Sequence, residues 1–126
     1  MISASPPIAG RCKTRLATSL GDAAAAELHA AFVRDALTSV RAAGLVPELY
    51  AAESPAHPFF ASLGLSARAQ AEGTLGERMA AALEGAGPAL LVGTDAPGLA
   101  PALLARAAAL LGEAELVLTP VGDGGF

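Results

Sequence analysis

Apolar and polar positions along this chain follow two rhythms, one helical and one of short unbroken runs. From Ala23 to Ala43, Leu28, Phe32, Val33, Ala36, Leu37 and Val40 share one half of a helical wheel, and Glu27, Arg34, Thr38 and Arg41 share the other. This predicts an amphipathic helix packed on a sheet, started by Gly21 and Asp22 and stopped by Gly44. A second helix follows Thr74, which stands three residues before Glu77 as in a capping box, with Leu75, Met79, Ala82, Leu83 and Ala86 on one face. A third begins at Pro101, a residue tolerated in a first turn, and carries Leu103, Ala107, Leu110 and Leu111 to a stop at Gly112.

The unbroken runs predict strands. Leu90-Leu91-Val92 and Leu116-Val117-Leu118 read as interior strands buried on both faces. Met1 to Ala4 reads as a strand ended by Ser5, Pro6 and Pro7, since prolines cannot donate to a ladder. Leu45 to Ala52 and Ala67 to Ala71 read as further strands, separated by a turn over 54–58 and a short helical segment around Phe59, Phe60 and Leu63. Strands and helices in alternation predict a three-layer α/β/α domain with a mainly parallel, Rossmann-like sheet, whose strand ends lie along one edge. The 126 residues form a single domain, 1–126.

Composition narrows the partners. A net charge of -4 gives no basic field for nucleic acid or a membrane surface, so neither is expected as a partner. No apolar stretch is long enough to span a bilayer and no signal-peptide pattern opens the chain. Cys12 is the one cysteine, which excludes an internal disulfide and a cysteine zinc site and fits a cytoplasmic setting. His29 falls among apolar helical positions and His57 opens a short helical segment, so both read as structural.

Chemistry concentrates where strands end. The run at Leu90 breaks into Gly93-Thr94-Asp95-Ala96-Pro97-Gly98, which sets Asp95 at a strand's carboxyl end, where open α/β sheets place ligands. The run at Leu116 likewise delivers Asp123 in a flexible loop. Ile8 to Thr18 reads as a loop in which Gly10 stands beside Arg11, Lys13, Thr14 and Arg15. Glycine lets backbone N–H groups approach an anion while the cations neutralise it, so the loop suits a phosphate or forms a solvated basic turn. It is not a Walker loop, which ends in Gly-Lys-Ser/Thr. Gln70, Glu72 and Arg78 read as a solvated face and cap.

Four blocks together resemble a known group. Gly10-Arg11-Cys12-Lys13-Thr14-Arg15-Leu16, Gly73-Thr74-Leu75-Gly76-Glu77-Arg78-Met79, Val92-Gly93-Thr94-Asp95-Ala96-Pro97 and Asp123-Gly124-Gly125-Phe126 are similar, in order, to blocks of a bacterial glycosyltransferase family. That family has the GT-A, nucleotide-diphospho-sugar transferase fold, some members being associated with radical-SAM or selenoprotein genes. Related enzymes include 2-phospholactate guanylyltransferase and the molybdopterin nucleotidyltransferases.

The resemblance implies a metal-dependent transferase that binds a nucleotide or nucleotide-sugar donor and passes a glycosyl or nucleotidyl group to a small-molecule acceptor. Gly10, Arg11, Lys13, Thr14, Arg15 and Thr94 would then serve the donor. Asp95 would hold Mg²⁺ or Mn²⁺, and Asp123, catalytic with Asp95, would shape the pocket with Gly124 and Gly125.

The chain departs from the family pattern at Ser5, where a lysine is usual, and at Ala9, where a proline is usual; it lacks an Asp-x-Asp. Against the family's length it is truncated at its C-terminal side, so an unpaired sheet edge is expected, and with it either a homodimer or aggregation. Two other readings compete with the transferase: a non-catalytic or incomplete nucleotide-binding domain, and an unrelated α/β interaction module.

Overall fold

The computed structural model describes residues 1–120. Its elements are β1 (Ile2–Ala4), α1 (Thr14–Leu20), α2 (Asp22–Ala42), β2 (Leu49–Ala51), α3 (Pro58–Ser62), β3 (Ala67–Ala69), α4 (Leu75–Leu83) and α5 (Pro101–Leu110). The strands form a parallel sheet in the order β1-β2-β3. Ile2, Leu49 and Ala67 are in register, as are Ala4, Ala51 and Ala69. Because side chains alternate along a strand, these six share one face, and Ser3, Tyr50 and Arg68 share the other.

The first face makes the core. Ile2, Ala4, Leu49 and Ala51 are buried in one cluster with Val33, Leu37 and Val40 of α2 and Phe59 and Phe60 of α3. Phe60, Ile2, Leu49 and Val33 are its largest fully buried side chains. Removing each from water is worth about 1.5 to 3 kcal/mol, so an alanine-rich chain concentrates its hydrophobic stabilisation in few residues. α2 buries the face its periodicity predicts, while Glu27, Arg34, Thr38 and Arg41 stay exposed.

α5 packs on α2. Its buried residue is Leu104, whereas Leu103, on the expected stripe, is 38% exposed. The buried face is thus turned by one position from the expected stripe.

On the opposite face of the sheet, Gln70 lies across the strands, donating from Nε2 to Ser3 Oγ at 2.5 Å and to the Tyr50 carbonyl at 3.3 Å. A cleft of about 570 Å³ is lined by Tyr50 and Arg68 of the sheet, Ala81 and Ala82 of α4, Val40 of α2 and Ala108 of α5. α4 buries none of its residues. Its N-terminus is set by sequence: Thr74 accepts from the Glu77 N–H while Glu77 accepts from the Thr74 N–H, the reciprocal pair the spacing predicts.

Several expectations are corrected. Leu90–Val92 is not an interior strand: Val92 makes a single parallel bridge to Ile2 and stands beside β1 at the end of the sheet. Leu116–Leu118 forms no strand, and Leu116 and Leu118 are 70% and 54% exposed. An apolar run becomes a strand only when a neighbour takes its backbone hydrogen bonds, and the 116–118 segment is not paired to the sheet. The strand expected over Leu45–Ala52 is confined to Leu49–Ala51. The basic loop ends at Lys13, because Thr14–Leu20 forms α1 against α2.

Among the described residues no helix is long and apolar enough to cross a membrane. The architecture is α/β, with a parallel sheet, α2 packed on it and α5 against α2.

Candidate functional site

The sheet order fixes which loops meet. Val92 donates to the Met1 carbonyl and accepts from the Ser3 N–H, at 2.9 and 3.0 Å, so the turn after Val92 lies beside the loop after β1. That turn begins with Thr94, 7% exposed, and then lifts Asp95 into solvent. Lys13 and Asp95 form an ion pair although 82 residues separate them. The spatial proximity expected from the topology is therefore present.

The two partners differ in setting. The Lys13 side chain is 14% exposed, with its ammonium 5.5 Å from the centre of the Phe32 ring, whereas the Asp95 side chain is 84% exposed. A pair with one wet member contributes at most about 1 kcal/mol to stability. The pair thus holds a largely covered lysine beside an exposed carboxylate.

The backbone at Lys13 carries strain for this placement. Its φ of 48° and ψ of 43° are left-handed, a conformation that costs a residue with a Cβ roughly 1 to 2 kcal/mol. Among the described residues, Lys13 and Ser54 are the non-glycine positions with positive φ. Gly10 also turns left-handed, at 77°, and its Cα lies close enough to Asp22 that an added Cβ would sit 3.5 Å from the carboxylate.

Lys13 is also the N-cap of α1 and makes no side-chain cap there. The N–H groups of Thr14 and Arg15 have no intrahelical acceptor, whereas those of Leu16 and Ala17 donate to the Lys13 carbonyl; Thr14 and Arg15 are exposed. Covered ammonium, free N–H donors and exposed guanidinium together can bind an anionic group.

Arg11, on the same loop, reaches the next strand's loop and pairs with Glu53 at 3.4 Å. Glu53 was not singled out by its sequence; no motif surrounds it, and only the parallel pairing of β1 with β2 sets it at this edge. Gln70 reads from sequence as a solvated position. It is half-buried, accepts from Arg78 Nη1 at 3.5 Å, and ties the loop after β3 to β1 and β2. Arg78 in turn donates from Nε to the Gly73 carbonyl at 3.1 Å.

Cys12 is buried with its Sγ donating to the Ile8 carbonyl at 3.4 Å, and burial pushes its thiol up. It is therefore no thiolate nucleophile at neutral pH. Both histidines are structural. His57 Nδ1 accepts from the Phe59 N–H and caps α3. His29, buried on α2, holds the Ser5 carbonyl through Nε2 at 2.9 Å, while its Nδ1 has no hydrogen-bond partner. Asp123, Gly124 and Gly125 lie outside the described residues.

Among the described residues, no three histidine, cysteine, aspartate or glutamate side chains gather to hold a cation. The one candidate, Asp95, presents an exposed carboxylate with its second oxygen unpaired by Lys13. This donor set does not make an all-protein cage. It fits Mg²⁺ or Mn²⁺ in the way such ions are usually held, by one or two carboxylates with substrate phosphates and water.

The fold resembles that of a solved structure. A crystal structure from Desulfovibrio desulfuricans, of a protein assigned by inference as a nucleotide-diphospho-sugar transferase, superposes with a TM-score of 0.75 at 31% identity. The match covers 88% of this chain and 52% of that one, so this chain spans about half of the other's length. The fold is accordingly GT-A-like. No curated protein matches. Residues 36–126 match the family described as "Uncharacterized protein conserved in bacteria (DUF2064)", and the chain belongs to that bacterial family.

Proposed function

We propose that the carboxyl edge of the sheet binds a nucleotide or nucleotide sugar and serves glycosyl or nucleotidyl transfer from it to a small-molecule acceptor. The observation that carries this reading is the convergence of Lys13 and Asp95 from loops 82 residues apart. The similarity to the transferase structure supports the donor class.

Each residue has a task in this reading. Lys13, held over Phe32, gives its ammonium to phosphate oxygens, and the N–H groups of Thr14 and Arg15 add neutral donors. Arg15 and Thr14, exposed at the same helix start, reach outward to the rest of the phosphate chain. Displaced from Lys13 by phosphate, Asp95 would hold Mg²⁺ or Mn²⁺. That ion, when bound, neutralises charge developing on the leaving phosphate. Thr94 keeps the turn anchored in the sheet so that Asp95 stays placed. Transfer at a phosphate gains chiefly from such positioning and charge neutralisation, which require no protein nucleophile.

Calorimetry of nucleotides and nucleotide sugars with and without Mn²⁺, on wild type and Asp95→Asn, tests this. Asparagine keeps size and turn geometry but removes the charge, so Mn²⁺-dependent affinity should fall about tenfold or more. The melting temperature should stay within the range of an exposed substitution, about half a kcal/mol. Wild-type Mn²⁺-dependent affinity in the mutant would remove Asp95 from the site.

A further inference from the structure

Two loops at this edge carry the left-handed non-glycine residues among those described, Lys13 at φ 48° and Ser54 at φ 47°. The first lies in the phosphate-facing loop. The second lies directly after Glu53, in a loop to which the preceding sections assign no role. Conformations of this kind persist when the surrounding structure holds them, and they gather at ligand sites. Ser54 is so held: its carbonyl accepts from the His57 N–H at 2.9 Å, one residue before α3.

Glu53 is fixed at the edge from both sides. The Ala52 N–H still reaches the Ala4 carbonyl, at 3.4 Å, so Glu53 is the first residue beyond the β1–β2 pairing. Its Oε2 then accepts from Arg11 Nη1 at 3.4 Å. Both side chains are open to solvent, at 65% and 42% exposure. A bare surface pair contributes little to stability. Here it places a carboxylate whose Oε1 is not engaged by Arg11.

The charges along the edge form an order. Asp95 follows Val92, Lys13 and Arg11 follow β1, and Glu53 follows β2. Acid, two bases and acid thus lie over three neighbouring chain segments, a span of two strand spacings or roughly 10 Å. Phosphates belong over the bases and towards Asp95. The outer acid at Glu53 cannot serve phosphate and suits hydroxyl donors, since an ionised carboxylate accepts at both oxygens. Among parts of a nucleotide, the group with paired hydroxyls is the ribose.

We infer that Glu53, positioned by Arg11, is the residue that selects ribose by accepting hydrogen bonds from its hydroxyls, so that the nucleoside lies over β2 and the phosphates over β1 and Val92. This inference rests on the nucleotide reading above and adds an orientation and a sugar preference to it. A site built to bond a hydroxyl rejects the analogue that lacks it, because the carboxylate is then left without its partner.

The test uses ADP, CDP, GDP and UDP with Mg²⁺, their 2′-deoxy counterparts, and inorganic pyrophosphate, on wild type and Glu53→Gln. For the best-binding base, wild type should prefer the ribonucleotide by about tenfold or more, the loss of a hydrogen bond to a charged group. Glu53→Gln should reduce that preference to about twofold and leave pyrophosphate affinity unchanged. Equal binding of ribo and deoxy forms by wild type, or undiminished preference in the mutant, would overturn the role of Glu53 while leaving the nucleotide reading standing. If no nucleoside diphosphate binds wild type, the nucleotide reading fails and the inference with it.

Discussion

Replacing Lys13 by glycine and, separately, by alanine measures the strain stored at the site. Both changes remove the same side-chain interactions: an ion pair with the exposed Asp95, worth at most about 1 kcal/mol, and the ammonium over Phe32, worth roughly 0.5 to 1 kcal/mol. They differ in the backbone. Alanine keeps a Cβ at φ 48° and continues to bear the left-handed cost of roughly 1 to 2 kcal/mol, which glycine escapes. Glycine loses about 0.5 to 1 kcal/mol more conformational entropy on folding, and regains a few tenths because it is the better N-cap.

The balance places Lys13→Gly above Lys13→Ala by about 1 kcal/mol, or several degrees of melting temperature for a chain of this size. Urea unfolding at a common slope reads the difference from the midpoints. Both variants should lose pyrophosphate affinity equally, since both lack the ammonium. An alanine variant as stable as the glycine variant would show that the left-handed backbone at Lys13 carries no strain.

The start of α4 should be acid-sensitive. Hydrogen bonds from the Thr74 backbone and hydroxyl hold the Glu77 carboxyl below its usual value, so its stabilisation is present above about pH 4.5 and lost as pH falls through the lowered value. Because α4 buries no residue, amide exchange in its first turn should speed up over that window, ahead of global unfolding, and Thr74→Val, which loses the hydroxyl that caps the Glu77 N–H, should exchange faster than wild type above it. Cys12 should resist iodoacetamide at neutral pH in the folded protein and react once urea unfolds it; rapid alkylation of the native state would contradict its burial and raised thiol.

Local chemistry was legible in the sequence wherever neighbours along the chain settle it. The α2 face follows from helical spacing, the α4 cap from Thr74 and Glu77 three residues apart, and the end of β1 from Pro6 and Pro7. α1 could have been read from Leu16, Ala17 and Leu20, which recur at helical spacing, but the glycine and cations before them read as loop. Even the approach of Lys13 to Asp95 follows from chain order, because parallel strands bring their carboxyl ends to one edge.

Tertiary structure decided what depends on a distant partner. The runs Leu90–Val92 and Leu116–Leu118 look alike in sequence, yet Val92 finds Ile2 and the second run pairs with no strand. An apolar run records that burial would be favourable, and the hydrogen-bond partner that makes it a strand is supplied by another part of the fold. The same holds for polar residues. Gln70 and Glu53 carry no local signature; the register of three strands sets one across Ser3 and Tyr50 and the other beside Arg11. Spacing along the chain can determine a helix face or a cap, because both are closed within a few residues, whereas a site at a sheet edge is assembled from loops whose neighbours are chosen by strand order.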